Sequence, residues 1–349
     1  MEQKVIKQRN NLIDIFRLFC AILVVVIHTN PFAGIKGLEF ITHEVLTRVA
    51  VPFFFVVAGF FYIPRLQKEK KIFGTYLIRI FITYTCWSVF YFLIKLIQLL
   101  IEGEFVLIPF LKTCCFSFVL TGSYYHFWFF PALIFSILIV ATFYKLKSLK
   151  FLYIIGGVLY LLGCLGCAYY DLALNIPIIS TIVQNKWFKT IRRLLLMGFP
   201  FFLLGVILNE LKDKWENINL KIQMSILGCL IFVFIAEIVM VFILRIYHDI
   251  TLTIFLYPLV GWIMIILCNN STKKFDRLGN VSRFCAEFIY YIHPAIIFLI
   301  EKCTMLLFNV ECSNLLMFMF VTVLSLCLGV FWGKLNRGYR KSTSGNANE

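Results

Sequence analysis

The chain has 349 residues, 61% of them hydrophobic and 15% charged, with a formal charge of +15 and a mean hydropathy of +0.89. No soluble core needs that much apolar sequence, and repeated apolar runs of roughly 20 residues read instead as a polytopic helical membrane protein. The positive charge is spread over short loops rather than gathered on a foldable basic domain, which sets nucleic acid aside as a partner and leaves membrane lipid.

Ten apolar segments are expected to span: roughly 12–31, 45–63, 74–101, 127–144, 151–170, 194–209, 221–244, 250–268, 284–307 and 313–333. The fold class is therefore all-α, a polytopic membrane protein with about ten transmembrane helices. Polar residues precede the first run and it has no small-residue cleavage site, so it reads as a retained helix rather than a signal peptide. Most of the 33 Lys and Arg residues fall in the loops that share a side with the N-terminus. The positive-inside rule then puts both termini in the cytoplasm of a multi-pass protein of the cell (inner or plasma) membrane, and an even span number satisfies it. Residues 1–333 read as a single transmembrane domain and 334–349, ending KSTSGNANE, as a short disordered cytoplasmic tail.

The first span, LIDIFRLFCAILVVVIHTNP, carries Arg17 and His28. Eleven positions make about three helical turns, so both side chains leave one face, ~16 Å apart along the axis, and Asp14 joins that face one turn earlier. Ionisable groups in a spanning helix face a cavity or a partner and mark function. The plainer alternative pairs Asp14 with Arg17 at the membrane edge, with Arg17 snorkelling to water. In the second span, VPFFFVVAGFFY, Pro52 and Gly59 are expected to serve close helix packing.

The loop RLQKEKKIFGTYLIR follows, and Arg79 lies several residues into the next apolar pattern. An arginine there needs an anion, whether a lipid headgroup, an acidic side chain or a ligand phosphate. The segment YYHFWFFPALIF brings His126 and Trp128 to the outer interface, where they fit an aromatic belt or an acceptor site. Cys164 and Cys167 have C-x-x-C spacing without a second pair or a His cluster, so they read as buried small hydrophobes and no metal is implied. Cys114 and Cys115 have no assigned role. Glu237 and Arg245 are expected to pair along the seventh span. In FCAEFIYYIHPAIIF, Glu287 and His293 are six apart, some 240° around a helix, and are not expected to face each other.

Together these residues resemble the acyltransferase-3 family of integral membrane acyltransferases. The resemblance rests on the R-x10-H spacing of Arg17 and His28, on VPFFFVVAGFF, on HFWFFPAL at 126–133 and on the late IYYIHPAIIF, in that order over nearly the whole chain. It implies transfer of an acyl group, expected to be acetyl, from cytoplasmic acyl-CoA to a hydroxyl of a cell-surface or lipid-linked saccharide. His28 is then the essential histidine and Arg17 its motif partner. Many members carry two arginines three apart at the start of the third span; here that pair reads Tyr76 and Arg79, so the donor site is expected at these two residues and at the basic 68–71 loop. His126, Trp128 and His293 are the acceptor-side candidates. The sequence is also similar to the membrane domain of vancomycin-resistance serine racemases, for which amino-acid uptake has been proposed. That resemblance implies the alternative, a transporter of a small polar solute such as serine, with Arg17 holding a carboxylate and His28 relaying protons.

Overall fold

The structure, a computed structural model, describes residues 10–68 and 70–345, with side chains except at 67, 68, 70–73, 273 and 336–345. The basic side chains of the 68–71 loop thus lie outside the described residues. Among those described there is no strand, and ten principal helices carry the chain: α1 (Asn11–Thr29), α2 (Ala50–Phe60), α3 (Lys70–Ile101), α4 (Phe129–Lys145), α5 (Leu149–Leu165), α6 (Phe199–Glu210), α7 (Leu220–Leu244), α8 (Leu256–Asn269), α9 (Asp276–Phe308) and α10 (Asn314–Gly345). Seven helical segments among the described residues are long and apolar enough to cross a membrane: Asn11–Thr29, Lys36–Leu66, Gly74–Ile101, Phe188–Glu210, Leu220–Leu244, Asp276–Phe308 and Asn314–Leu335. The remaining three expected spans fall on the shorter apolar helices α4, α5 and α8. A further apolar helix, Leu107–Phe116, occupies sequence expected to be an outer loop. Large apolar side chains stay exposed along these helices, Ile154 at 70% and Phe232 at 73%, as hydrocarbon solvent permits and water does not. The chain is an all-α, multi-pass membrane protein. Helix α10 runs on to Gly345, so the backbone is helical well past the tail boundary expected at 333.

The chain divides into two compact units, one made of the residues up to Phe53 with those from Ile263 onward, the other of Phe54–Trp262. In the first unit the Asn10 side chain caps α1. It accepts from the Ile13 N–H at 3.1 Å and donates to the Leu267 carbonyl at 2.7 Å. Asn11 donates to the Asp276 carboxylate at the start of α9. These bonds satisfy end groups that a helix cannot satisfy itself, an Asn cap being worth about 1 kcal/mol. They also fix α1 beside α9. Between α1 and α2 the backbone passes from an α turn (Lys36–Glu39) through a π turn (Phe40–Val45) to a 3-10 turn (Leu46–Val49). Each change of pitch rotates the side chains that follow, and such turns recur at functional sites.

In the second unit a Cβ on Gly59 would lie 1.9 Å from the Phe202 carbonyl oxygen, and one on Gly205 would lie 2.1 Å from that of Val56. Two glycines thus let α2 and α6 approach backbone to backbone, the packing expected of Gly59. Around this contact Phe55, Phe201 and Phe202 are fully buried, and the Tyr62 hydroxyl donates to the Ile137 carbonyl at 3.0 Å. The expected pairing of Glu237 with Arg245 is not what the structure contains. Arg245 ends α7 in the left-handed region at φ 53°, whereas the Glu237 carboxylate accepts the Ile254 and Phe255 N–H groups (2.9 Å for Phe255) and the Tyr169 hydroxyl. The unsatisfied N–H groups entering α8 offer a buried carboxylate better-aimed donors than a side chain beyond the helix end.

Candidate functional site

The first unit assembles a polar seam along α1 and α9. Arg17 is half-buried, with Nη1 3.5 Å from Asp14 Oδ1 and Nη2 3.7 Å from Glu287 Oε1. Both distances exceed the ~2.7–2.9 Å of tight charge-assisted bonds, so the guanidinium sits in a loose anionic clamp that a stronger anion can displace. The Asp14–Arg17 pair anticipated from the spacing is present, and Glu287 is its second carboxylate. Higher on the same helices, the His28 ring stacks on that of His293, centroids 5.3 Å apart and planes 23° from parallel. His293 is fully buried, and its Nδ1 hydrogen bonds to the Ile289 carbonyl at 2.8 Å. That bond puts the proton on Nδ1 and makes Nε2 the basic nitrogen. Pro294 follows inside α9 and has no N–H to give the preceding turn. Glu287 and His293 serve different partners, as their angular separation requires. His293, an acceptor-side candidate, belongs beside His28.

At the same end of α1 stands a group that sequence reasoning passed over. His43 Nδ1 lies 2.9 Å from Glu44 Oε1, and the other Glu44 oxygen binds Arg48 Nη2. Arg48 Nε also donates to the Glu44 carbonyl at 3.2 Å. His43 Nε2 lies 3.4 Å from the carbonyl of Ile27, the residue before His28. The Glu44–Arg48 spacing of four was a legible signal. Where His43 points was not, because the π turn sets it.

The other candidates belong to the second unit. Arg79 is exposed on α3, and Tyr76, one turn before it, lies under the guanidinium of Arg65 at 4.3 Å from ring centroid to Cζ. A second arginine therefore stands over the turn that precedes Arg79. His126 is buried rather than set in an open belt, packed by the rings of Tyr91, Tyr124, Tyr125 and Phe127. Aromatic side chains on α3 and in the 123–128 turn supply this enclosure. Trp128 lies against Phe55 and under the Arg193 guanidinium at 5.5 Å. Cys164 is buried in α5, while Cys167 lies beyond its end with Sγ 3.2 Å from Arg192 Nη1. Arg192 also pairs with Asp249. Among the described residues no group of three or more His, Cys, Asp or Glu is arranged to hold a metal ion.

Apolar helices with an arginine and paired histidines on an internal seam define a multi-pass membrane protein with a polar intramembrane site. The acyltransferase-3 family model, described as an acyltransferase domain, matches residues 10–332, and the chain belongs to this family. It is similar to an amino-acid racemase of Enterococcus faecalis, 28% identical over 96% of this chain and 48% of that protein. A serine/alanine racemase of Enterococcus gallinarum is 27% identical over 64% of this chain and 33% of its own length. The chain spans about half or less of the length of these curated relatives. No solved structure matches.

Proposed function

We propose that the protein is a membrane O-acyltransferase that moves an acyl group, acetyl in the first instance, from cytoplasmic acyl-CoA to a hydroxyl of a cell-surface or lipid-linked saccharide. The observation that carries this reading is the His28–His293 stack on the seam that also holds Arg17, in a chain of the acyltransferase-3 family. A hydroxyl attacks a thioester poorly near pH 7 unless a base takes its proton, and neutral imidazole has a suitable basicity. His28 acts as that base, or accepts the acyl group itself and passes it on. The acceptor oxygen gains the acyl carbon, the carbon–sulfur bond breaks, and the proton ends on the CoA thiolate. Arg17 meets negative charge at the seam by exchanging a clamp carboxylate for a donor oxygen. Arg79 and the Tyr76-supported Arg65 offer two guanidinium groups to the CoA phosphates, which compensates for the tyrosine in the family's arginine pair. Ten spans with both termini cytoplasmic, in the plasma membrane, complete the reading.

The test is thiol release from acetyl-CoA by purified protein, wild type beside H28A and R17A. H28A is expected to lose at least 100-fold, the usual yield of a positioned base; full activity at normal membrane abundance overturns the assignment. A second reading draws on the racemase names of the relatives and on the Arg17–Glu287 juxtaposition, since a cation beside a carboxylate complements a zwitterion. In it the domain transports a small polar solute such as serine, and uptake of labelled serine into vesicles tests it.

A further inference from the structure

We infer that His43, oriented by Glu44 and Arg48, is the base that takes the acceptor's proton in the second half of a two-step transfer; this rests on the acyltransferase reading. Three observations converge on it. Glu44 Oε1 lies 2.9 Å from His43 Nδ1, so the carboxylate fixes the Nδ1–H tautomer and leaves Nε2 as the proton-accepting nitrogen. Arg48 holds the second Glu44 oxygen through one Nη and the Glu44 backbone through Nε, so the orienting carboxylate is itself immobilised. Nε2 lies at the end of α1, 3.4 Å from the carbonyl of Ile27, the residue before His28, and that carbonyl can accept from Nε2–H once the ring has taken a proton. A base whose second nitrogen is bonded to a fixed carboxylate is the general signature of a proton-transfer group rather than a packing residue.

Two histidines at one end of α1 allow the labour to be divided. In the first step a His28 ring nitrogen bonds to the acyl carbon, the carbon–sulfur bond breaks, and the proton shed by the imidazole goes to the CoA thiolate. In the second step the acceptor oxygen bonds to the acyl carbon, the carbon–nitrogen bond breaks, and the acceptor proton passes to His43 Nε2. That proton then returns to the His28 imidazole, restoring both rings. His293 has no proton to move in this scheme: it stacks on His28 and holds the ring in place. The π turn over Phe40–Val45 has a role as well, because it sets the direction in which His43 and Glu44 leave the backbone.

The experiment separates the two steps on the purified full chain with acetyl-CoA as the probe. Exchange of labelled CoA into acetyl-CoA reports the first step, and thiol release with water as acceptor reports both. H43Q is expected to lose thiol release by at least 30-fold while exchange persists, and H28A to lose both. E44Q is expected to fall between, since it keeps the hydrogen bond and loses the charge. Persisting exchange also shows that the variant is folded. If wild type turns over acetyl-CoA and H43Q matches it in thiol release, or if H43Q loses exchange and thiol release in equal measure while remaining monodisperse, the base role is overturned and the acyltransferase reading stands. If wild type gives neither exchange nor thiol release with acetyl-CoA or longer acyl-CoAs, the acyltransferase reading falls and this inference with it.

Discussion

Arg17 is held by Asp14 and Glu287 at 3.5 and 3.7 Å, and the looseness of that clamp bears on how the site meets an anion. Glu287 is the more exposed carboxylate, at 43% against 10% for Asp14, so it is the one an incoming anion would displace. Removing its charge with E287Q should tighten CoA binding about 3- to 10-fold, on the order of 1 kcal/mol for a partly exposed pair. R17K keeps the charge but loses the planar fork and should weaken binding by at least as much; titration of CoA into the purified variants checks both. Asp249, in the loop before α8, supports a separate prediction. Burial alone would raise its carboxyl, but the Arg192 guanidinium and the bonds from Thr251 overcome that and hold it down at about 2. A carboxylate depressed in the folded state stabilises the fold above its unfolded value of ~3.9, and the gain is lost as pH falls toward 2. D249N should therefore cost about 2 kcal/mol at pH 7. The gap between wild type and variant should narrow between pH 4 and pH 2, as read from thermal melts in detergent. Arg17 and His28 were legible in the sequence because eleven-residue spacing inside an apolar run is a property of one helix. His43 was not, because charged residues at the start of a span look like ordinary interface residues. Arg65 was not either, since nothing in the sequence says that its guanidinium lies over the Tyr76 ring.

Among the described elements, the α2–α6 contact leaves no room for a side chain at Gly59. A methyl at Gly59 would sit 1.9 Å from the Phe202 carbonyl oxygen, and a backbone atom cannot yield as a flexible side chain can. G59A should cost about 1–3 kcal/mol, the usual penalty of overpacking, and lower membrane abundance and melting temperature together. G228A, where a Cβ meets open space, should leave both unchanged. Gly59 was readable as a packing residue from its place in an apolar helix, though its partner was not. Glu237 shows the limit of one-helix reasoning. The spacing to Arg245 suggested a salt bridge, yet the donors that satisfy the carboxylate are N–H groups that begin another helix seventeen and eighteen residues on. Helix periodicity places a residue on a face; it does not say which neighbour meets that face.

For the whole molecule, hydropathy was sufficient to read an all-α, multi-pass membrane protein, because a bilayer admits helices whose backbone groups are satisfied internally. It did not reveal that the first and last parts of the chain form one unit, since the bonds from Asn10 to Leu267 and from Asn11 to Asp276 are long-range. That unit brings Arg17, His28, His43, Glu287 and His293 together. The proposed orientation predicts that cysteine probes at the two ends of the chain react only with a membrane-permeant thiol reagent, in a background with the native cysteines replaced. The most direct measurement is acetyl transfer across inside-out vesicles supplied with acetyl-labelled acetyl-CoA, wild type beside H28A. Label is expected in a lipid-linked or saccharide fraction with wild type, and at least 100-fold less with H28A. Equal labelling with H28A, or serine accumulation by wild type with no label transferred, would contradict the acyltransferase reading.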